Sequence, residues 1–283
     1  MRDWRPQQIG DLATWIRGSG DNYLVLLHGG PGLSDYMDGI GDLLIDRLGE
    51  TWSVVRYQQR GLSPSTTDGP FTVEQHVSDL LSVCDGLGAE TSSVLGHSWG
   101  GHLAMHALVA DDERFDAAVI VDPLGAVIDG GFTAMGEHFA ARYGPEDKAE
   151  LERIAELVGT QGPSGELSIA EFAVKWPYYF SDPKVAPPMP AMRSGVDVSI
   201  GTAMSIAEHF MAGTLVSGLP RVSTRTLFLA GTKGPIPHVE SERSAALMPN
   251  ADIITFPTGH FPWMEDTSTL EPVVSFLRST SRP

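Results

Sequence analysis

The stretch LGHSWGG, from Leu95 to Gly101, is a G-x-S-x-G motif that lies between two different periodic patterns. The apolar run Ser93–His97 predicts a buried strand, and Trp99–Ala110 predicts a helix. A strand, a tight turn and a helix in this order present a serine hydroxyl at the carboxyl edge of a sheet. Ser98 is therefore the candidate nucleophile; the alternative is a serine that only occupies a tight turn.

Two backbone amides are candidate donors to an oxyanion. The Trp99 N–H stands at the start of the predicted helix, where free amides and the helix dipole favour negative charge. The motif LLHGGPG, Leu26–Gly32, follows the predicted strand Tyr23–His28. Its glycines allow close approach to a ligand, so we expect the second donor to be Gly30 N–H, with Gly29 less favoured.

Strand and helix patterns alternate along most of the chain, which predicts an α/β fold with a mostly parallel central sheet flanked by helices. The first ~20 residues are expected to add an antiparallel hairpin at the edge. After the sixth strand, a segment of helical and Pro-rich patches interrupts the alternation. The predicted division is a core at 1–123, a mainly helical cap insertion at 124–220, and the rest of the core at 221–283.

His260 is the candidate base. It lies in PTGHFPWMED, Pro257–Asp266, on the loop after the predicted strand Asp252–Phe256. A neutral imidazole in that place can take the proton of Ser98 and later return it to a leaving group. His102 and His106 have the i, i+4 spacing of metal ligands, but a third ligand is not apparent. We therefore expect no metal and no other cofactor.

These motifs resemble the α/β-hydrolase superfamily, and within it the proline iminopeptidase-like (S33-type) branch. That branch carries HGGPG, a DQRG-like motif and a G-x-S-W-G-G elbow; here Gln58 stands where the branch often has Asp. The resemblance implies a Ser–acid–His triad and a cap over the active site. It also implies that the acid follows the strand Thr226–Ala230, in a G-x-x-D-x-I/P pattern.

The acid is missing from that place, because Gly234 occupies the position of the expected Asp. Three alternatives follow. The acid has moved to Asp122, after the strand that precedes the insertion, as the resemblance allows for some haloalkane dehalogenases. A nearby carboxylate such as Glu240 reaches the base instead. In the third alternative, the enzyme works as a Ser–His dyad or does not hydrolyse its substrate at all.

The cap is expected to supply the substrate pocket. Adaptable apolar and aromatic side chains suit an apolar acyl or ring substrate. Ordinary packing between cap and core explains such residues equally well. The resemblance implies that iminopeptidases hold a free amine with carboxylates in or near the cap. The predicted pocket residues are Gly29, Trp176, Tyr179, Met204 and Glu208.

Composition narrows the partners. The formal charge of −17 disfavours nucleic acids and anionic membranes as partners. The single cysteine, Cys84, lies on a helical stripe and excludes an intrachain disulfide. The first residues lack an apolar signal region, and no run approaches the ~20 residues that span a bilayer. We expect a cytoplasmic protein that acts on a small-molecule acyl substrate, and a homodimer is left open.

These observations together predict a serine hydrolase that cleaves a small carboxylic ester, lactone or aminoacyl substrate through an acyl-enzyme on Ser98. Asp122 is expected to orient His260. Two alternatives are a prolyl aminopeptidase and a non-hydrolytic biosynthetic enzyme on the same fold, which would be a cyclase, lyase or acyl transferase.

Overall fold

A computed structural model describes residues 3–280, and within them eight strands form one sheet. The order across the sheet is β1-β2-β4-β3-β5-β6-β7-β8, and only β2 runs against the others. The predicted α/β fold and the edge hairpin are therefore confirmed. The strands are β1 (Arg5–Ile9), β2 (Leu12–Gly18), β3 (Asn22–Leu27), β4 (Trp52–Tyr57), β5 (Ser92–His97), β6 (Phe115–Val121), β7 (Arg225–Gly231) and β8 (Ala251–Phe256).

Helices cover both faces of the sheet and fill the interval between β6 and β7. The helices around the sheet are α1 (Asp38–Leu48), α2 (Val73–Gly86), α3 (Trp99–Ala110), α9 (His238–Ala245), α10 (Pro262–Glu265) and α11 (Glu271–Thr280). The helices between β6 and β7 are α4 (Phe132–Arg142), α5 (Pro145–Gln161), α6 (Gly165–Lys175), α7 (Val196–Ala212) and α8 (Thr214–Gly218). We call the segment 124–220 the cap; its exact boundaries stay a prediction.

Helix α3 crosses the sheet at very short range. A Cβ atom on Gly100 would lie 2.2 Å from the carbonyl oxygen of Leu27, at the end of β3. A Cβ on Gly96 would lie 2.2 Å from the Gly100 oxygen. Real side chains do not tolerate such distances, so both glycines of the G-x-S-x-G motif are required for the strand-to-helix turn.

The cap is fastened to the loop that follows β3. Ser199 on α7 donates its hydroxyl to the carbonyl of Pro31 at 3.0 Å. The Gly195 N–H, just before α7, donates to the carbonyl of Gly32 at 2.9 Å. Farther along α7, Ser205 accepts the Val73 N–H at the start of α2. The cap is therefore hydrogen-bonded directly to the HGGPG loop.

The loop after β4 is anchored by a buried ion pair. Arg60 donates to both carboxylate oxygens of Asp79 on α2, at 2.6 and 2.7 Å. Both side chains are about 90% buried.

Within residues 3–280, no helix has the length and apolar character needed to cross a membrane. Cys84 is buried on α2, as the helical stripe predicted.

Replacing Arg60 with Ala should lower the free energy of unfolding by about 3–5 kcal/mol, because the Asp79 carboxylate would remain buried without its cation. The matched control is Arg153→Ala, whose ion pair with Glu150 is exposed to solvent and should contribute far less to stability. Urea denaturation measures both. Equal losses in the two variants would contradict a structural role for the Arg60 pair.

Candidate active site

Ser98 lies in the turn between β5 and α3 with backbone angles φ 58° and ψ −122°. A non-glycine residue in this region is strained, and such strain is concentrated at functional sites. The Ser98 N–H donates to the carbonyl of Val121 at the end of β6, at 2.9 Å. The side chain is partly exposed. The turn therefore presents the hydroxyl at the carboxyl edge of the sheet.

The loop after β3 approaches Ser98 at contact distance. A Cβ on Gly29 would lie 3.0 Å from the Cβ of Ser98. The Gly29 N–H already donates to the hydroxyl of Tyr36 at 2.8 Å. Because the Gly29 amide is engaged in this bond, the Gly30 N–H stays the predicted oxyanion donor of the two glycines. Trp99 is the first residue of α3, so its N–H has no carbonyl one turn behind it.

Gln59 connects the two segments that carry these amides. Its side-chain nitrogen donates to the carbonyl of His28 at 2.8 Å, and its side-chain oxygen accepts the indole N–H of Trp99 at 2.8 Å. One buried amide thus sets the spacing between the HGGPG loop and the start of α3. Gln59 belongs to the DQRG-like motif that follows β4, so this motif supports the site through the contacts with His28 and Trp99.

His260 follows β8 and is buried against the cap. Its backbone N–H donates to the carbonyl of Tyr179 at 2.7 Å, and the two rings lie 5.3 Å apart between centroids. Burial lowers the pKa of the His260 imidazole well below its usual value, and neighbouring His97 lowers it further. The imidazole is therefore neutral at pH 7, which is the form that a general base needs.

A directed chain of hydrogen bonds joins the HGGPG loop to the His260 loop. His97 Nε2 lies 2.8 Å from the carbonyl oxygen of His260, so this nitrogen carries a proton. Burial lowers the pKa of His97 to about 3, and its Nδ1 therefore accepts from the Tyr36 hydroxyl at 2.7 Å. Tyr36 in turn accepts from Gly29. Sequence reasoning missed Tyr36 and this role of His97.

Asp122 lies at the end of β6, 1% exposed and with a positive φ of 42°. One carboxylate oxygen accepts the Gly231 N–H at 3.0 Å. Gly231 also touches the base loop, since a Cβ there would lie 2.1 Å from the carbonyl oxygen of Gly259. Among the described residues 3–280, the second oxygen, Oδ2, is buried without a hydrogen-bond partner, and so is His260 Nδ1. A carboxylate oxygen such as Oδ2 accepts hydrogen bonds, and an imidazole nitrogen such as Nδ1 donates one when it carries the proton.

Gly234 still lies beside the base. A Cβ built on it would be 3.1 Å from the His260 nitrogen and 3.3 Å from the Gly259 carbonyl carbon. A side chain at this place would require the loop that carries His260 to shift by a few tenths of an ångström. Position 234 thus carries no carboxylate, and the backbone of the His260 loop crowds it.

Glu240, the second candidate acid, is engaged elsewhere. One of its carboxylate oxygens accepts from Arg243 at 2.7 Å. Its side chain lies against Gly125, where a Cβ would be 2.9 Å from the other oxygen, Oε2. These contacts place Glu240 under the connection from β6 to the cap. Among residues 3–280, its Oε2 is also buried without a hydrogen-bond partner.

A different carboxylate, that of Glu265, holds the base loop. It accepts the Gly259 N–H at 2.6 Å and the Ser181 N–H at 3.1 Å, and it also accepts the Ser181 hydroxyl. Glu265 therefore ties the loop to the cap and adds to the raised pKa of Asp122. Its only sequence signal was its position five residues after His260.

The predicted pocket residues divide into two groups. Tyr179 lies against His260, and Trp176 is 3% exposed with its ring 4.9 Å from that of Phe261. Met204 is 63% exposed on α7, and Glu208 is exposed on the same helix. The buried positions of α7 face α2 and the core. Met204 and Glu208 lie on the opposite, exposed face of α7, and their place in the pocket stays a prediction.

The two histidines of α3 are partners of each other. His106 and His102 lie 3.2 Å apart between their Nε2 atoms, and His102 Nδ1 is 3.0 Å from the carbonyl oxygen of Leu124. Within residues 3–280, no group of three or more His, Cys, Asp or Glu side chains is arranged to hold a metal ion.

Comparison with known proteins identifies the family of the chain. A model of the alpha/beta hydrolase family matches residues 24–271. The chain belongs to the alpha/beta hydrolase family. It is a hydrolase that is similar to proline iminopeptidases, as the motifs indicated: it is 23% identical to the proline iminopeptidase of Lactobacillus delbrueckii subsp. lactis, across 94% of this chain and 95% of that protein.

Solved structures of this hydrolase family share the fold over nearly the full chain. A thermophilic esterase from Thermogutta terrifontis gives a TM-score of 0.68 at 24% identity, covering 96% of this chain and 94% of the esterase. An alpha/beta fold family hydrolase from Bacillus anthracis str. Sterne gives 0.72 at 16% identity, covering 98% and 99%. Identities this low establish the fold alone.

The Asp122→Asn variant should be more stable than the wild type at neutral pH. Burial raises the pKa of Asp122 well above its usual value. Stability is therefore lost as pH rises from about 4 toward the raised folded-state pKa, and Asn escapes this loss. Thermal unfolding between pH 4 and 8 should show a gain of at least ~2 °C at pH 8 that vanishes near pH 4.

The exposed Asp252→Asn variant controls for the loss of one negative charge in this experiment. A lower unfolding temperature for Asp122→Asn at pH 8 would show that the buried carboxylate stabilises the fold, contrary to this account.

Proposed function

We propose that this hydrolase cleaves a small carboxylic ester, lactone or aminoacyl compound through an acyl-enzyme on Ser98. The observation that supports the proposal best is the backbone of Ser98, with φ 58° and ψ −122°, in contact with Gly29 of the oxyanion loop. A serine held in this strained turn, beside two free amides, is arranged for attack on a carbonyl carbon.

In the proposed mechanism the Ser98 hydroxyl attacks the carbonyl carbon while His260 Nε2 takes its proton. The N–H groups of Gly30 and Trp99 stabilise the oxyanion, and His260 then protonates the leaving group. In the deacylation step, His260 takes a proton from water while the water oxygen attacks the acyl carbon. His260 then returns the proton to the Ser98 oxygen as the acid product leaves. Gln59 and Tyr36 keep the two amides and the base loop in register.

Asp122 is the proposed acid of the triad. Its free Oδ2 would accept a hydrogen bond from His260 Nδ1, which fixes the imidazole tautomer that leaves Nε2 free to act as the base. Burial disfavours a lone carboxylate here. Formation of the imidazolium in the transition state supplies the matching charge. Asp122 would thus be stabilised as an anion when His260 becomes cationic.

Ester-type substrates are favoured over prolyl peptides. The similarity to the Lactobacillus proline iminopeptidase keeps a prolyl aminopeptidase as the second candidate. A free substrate amine needs a carboxylate near the reacting bond. The carboxylate predicted for the pocket, that of Glu208, is exposed, and so is that of Glu137 on α4. Esters and lactones also have better leaving groups than amides.

Wild-type enzyme should react covalently with a small fluorophosphonate at Ser98, and Ser98→Ala should not. Asp122→Asn should lower kcat for p-nitrophenyl acetate by up to ~10⁴-fold, since a triad without its acid cannot hold the correct tautomer. Mass spectrometry of the intact protein and initial rates measure these outcomes.

Glu240→Gln serves as the matched control for this loss, because it removes a buried carboxylate that contacts Arg243 instead of His260. Turnover in Asp122→Asn equal to that of Glu240→Gln would exclude the relocated acid. A prolyl p-nitroanilide hydrolysed faster than the acetate ester would favour the peptidase.

The pH dependence of kcat/KM should show an acid limb below pH 6.5. The base must be neutral to act, and burial beside His97 lowers the pKa of His260 below that ordinary value. Activity should therefore persist as pH falls through 6.5 and decline only under more acidic conditions. A half-maximal point at or above pH 6.5 would contradict a base whose charge is disfavoured by burial.

A further inference from the structure

A groove lies in the cap between α4, α5 and α6, beside Tyr179. Its volume is about 500 Å³, which is within the ~300–1,000 Å³ of small-molecule pockets. The side chains that line it on α4 and α5 recur at i, i+3, i+4 and i+7, so each helix turns one face to the groove. They are Gly136, Phe139, Ala140 and Tyr143 on α4, and Leu151, Ile154, Ala155 and Val158 on α5.

Small side chains keep this groove open. Helix faces with such spacing normally pack against each other, but Gly136, Ala140 and Ala155 have little side chain to fill the space. Val158 remains 36% exposed at the groove and Ala140 and Ala155 are exposed as well. Apolar surface left open to water costs free energy, and a contiguous patch of it marks a binding site.

One aromatic side chain, that of Tyr179, lies between the groove wall and the base. The Tyr179 ring lies 5.3 Å from the His260 ring and 5.1 Å from the ring of Phe139, which forms the groove wall. The Tyr179 carbonyl accepts the His260 N–H, and the Tyr179 ring also packs against those of Phe172 and Phe261. The hydroxyl of Tyr143, also on the wall, is buried without a hydrogen-bond partner.

The charges at the groove favour an uncharged occupant. Lys175 at its edge is already paired with Glu171 on the same helix, so it is not free to bind a carboxylate. A free fatty acid, which carries a negative charge, would therefore gain little here. A neutral chain would gain free energy from each methylene that it buries.

We propose that this groove holds the saturated acyl chain of a medium-length ester, which reaches it from Ser98 past the ring of Tyr179. The inference rests on the proposed ester hydrolysis and adds the substrate class. Tyr179 acts as the gate between the reacting carbonyl and the groove. The enzyme would accordingly prefer octanoyl or decanoyl esters to acetyl esters.

A series of p-nitrophenyl esters from acetate to dodecanoate tests the groove. In the wild type, kcat/KM should rise by up to about fourfold per methylene that enters the groove. Ala155→Trp places an indole in the groove and should lower the octanoate-to-acetate ratio of kcat/KM at least ~10-fold. Ala140→Trp on the facing helix should do the same, which guards against a folding defect in one variant.

Ala149→Trp is the matched control, since Ala149 is exposed on α5 outside the groove. It should keep the wild-type ratio. A flat chain-length profile, or equal ratios in all three Trp variants, would overturn the groove while Ser98 labelling and acetate hydrolysis still support the esterase. Loss of labelling and of all ester turnover in the wild type would instead overturn the proposed function, and the acyl groove with it.

Discussion

The approach of α3 to the end of β3 is the constraint on which the site depends. Because Gly100 has no Cβ, α3 can start directly above the sheet, with its backbone against the Leu27 carbonyl. That start forces Ser98 into its strained turn and brings Gly29 against it. Backbone contact and the buried side-chain amide of Gln59 thus position the nucleophile against the oxyanion loop.

Directed hydrogen bonds extend this constraint to the base. The chain from Gly29 through Tyr36 and His97 reaches the carbonyl of His260, so the HGGPG loop and the base loop cannot shift independently. Cap contacts from Tyr179 and Glu265 hold the same loop from the other side. Such supporting bonds hold a nucleophile and base at a fixed separation, which catalysis requires.

The sequence predicted the sheet, the elbow and the position of His260 because local patterns determine them. The predicted helix Trp99–Ala110 matches α3 residue for residue, and the predicted strand Asp252–Phe256 differs from β8 by one residue. Tyr36 and Glu265 could not be predicted, because their roles depend on distances between segments far apart in the chain. Met204 and Glu208 lie on the exposed face of α7, which the sequence did not indicate because that face depends on how the cap packs on the core.

The central claim is that Asp122 supplies the acid that is missing at Gly234. A crystal structure of the enzyme phosphonylated on Ser98 tests it most directly, because the bound group forces His260 into its working position. The account predicts a separation of about 2.6–3.2 Å between Asp122 Oδ2 and His260 Nδ1, with phosphonyl oxygen at the amides of Gly30 and Trp99. A His260 Nδ1 bound to water or to another carboxylate would contradict it.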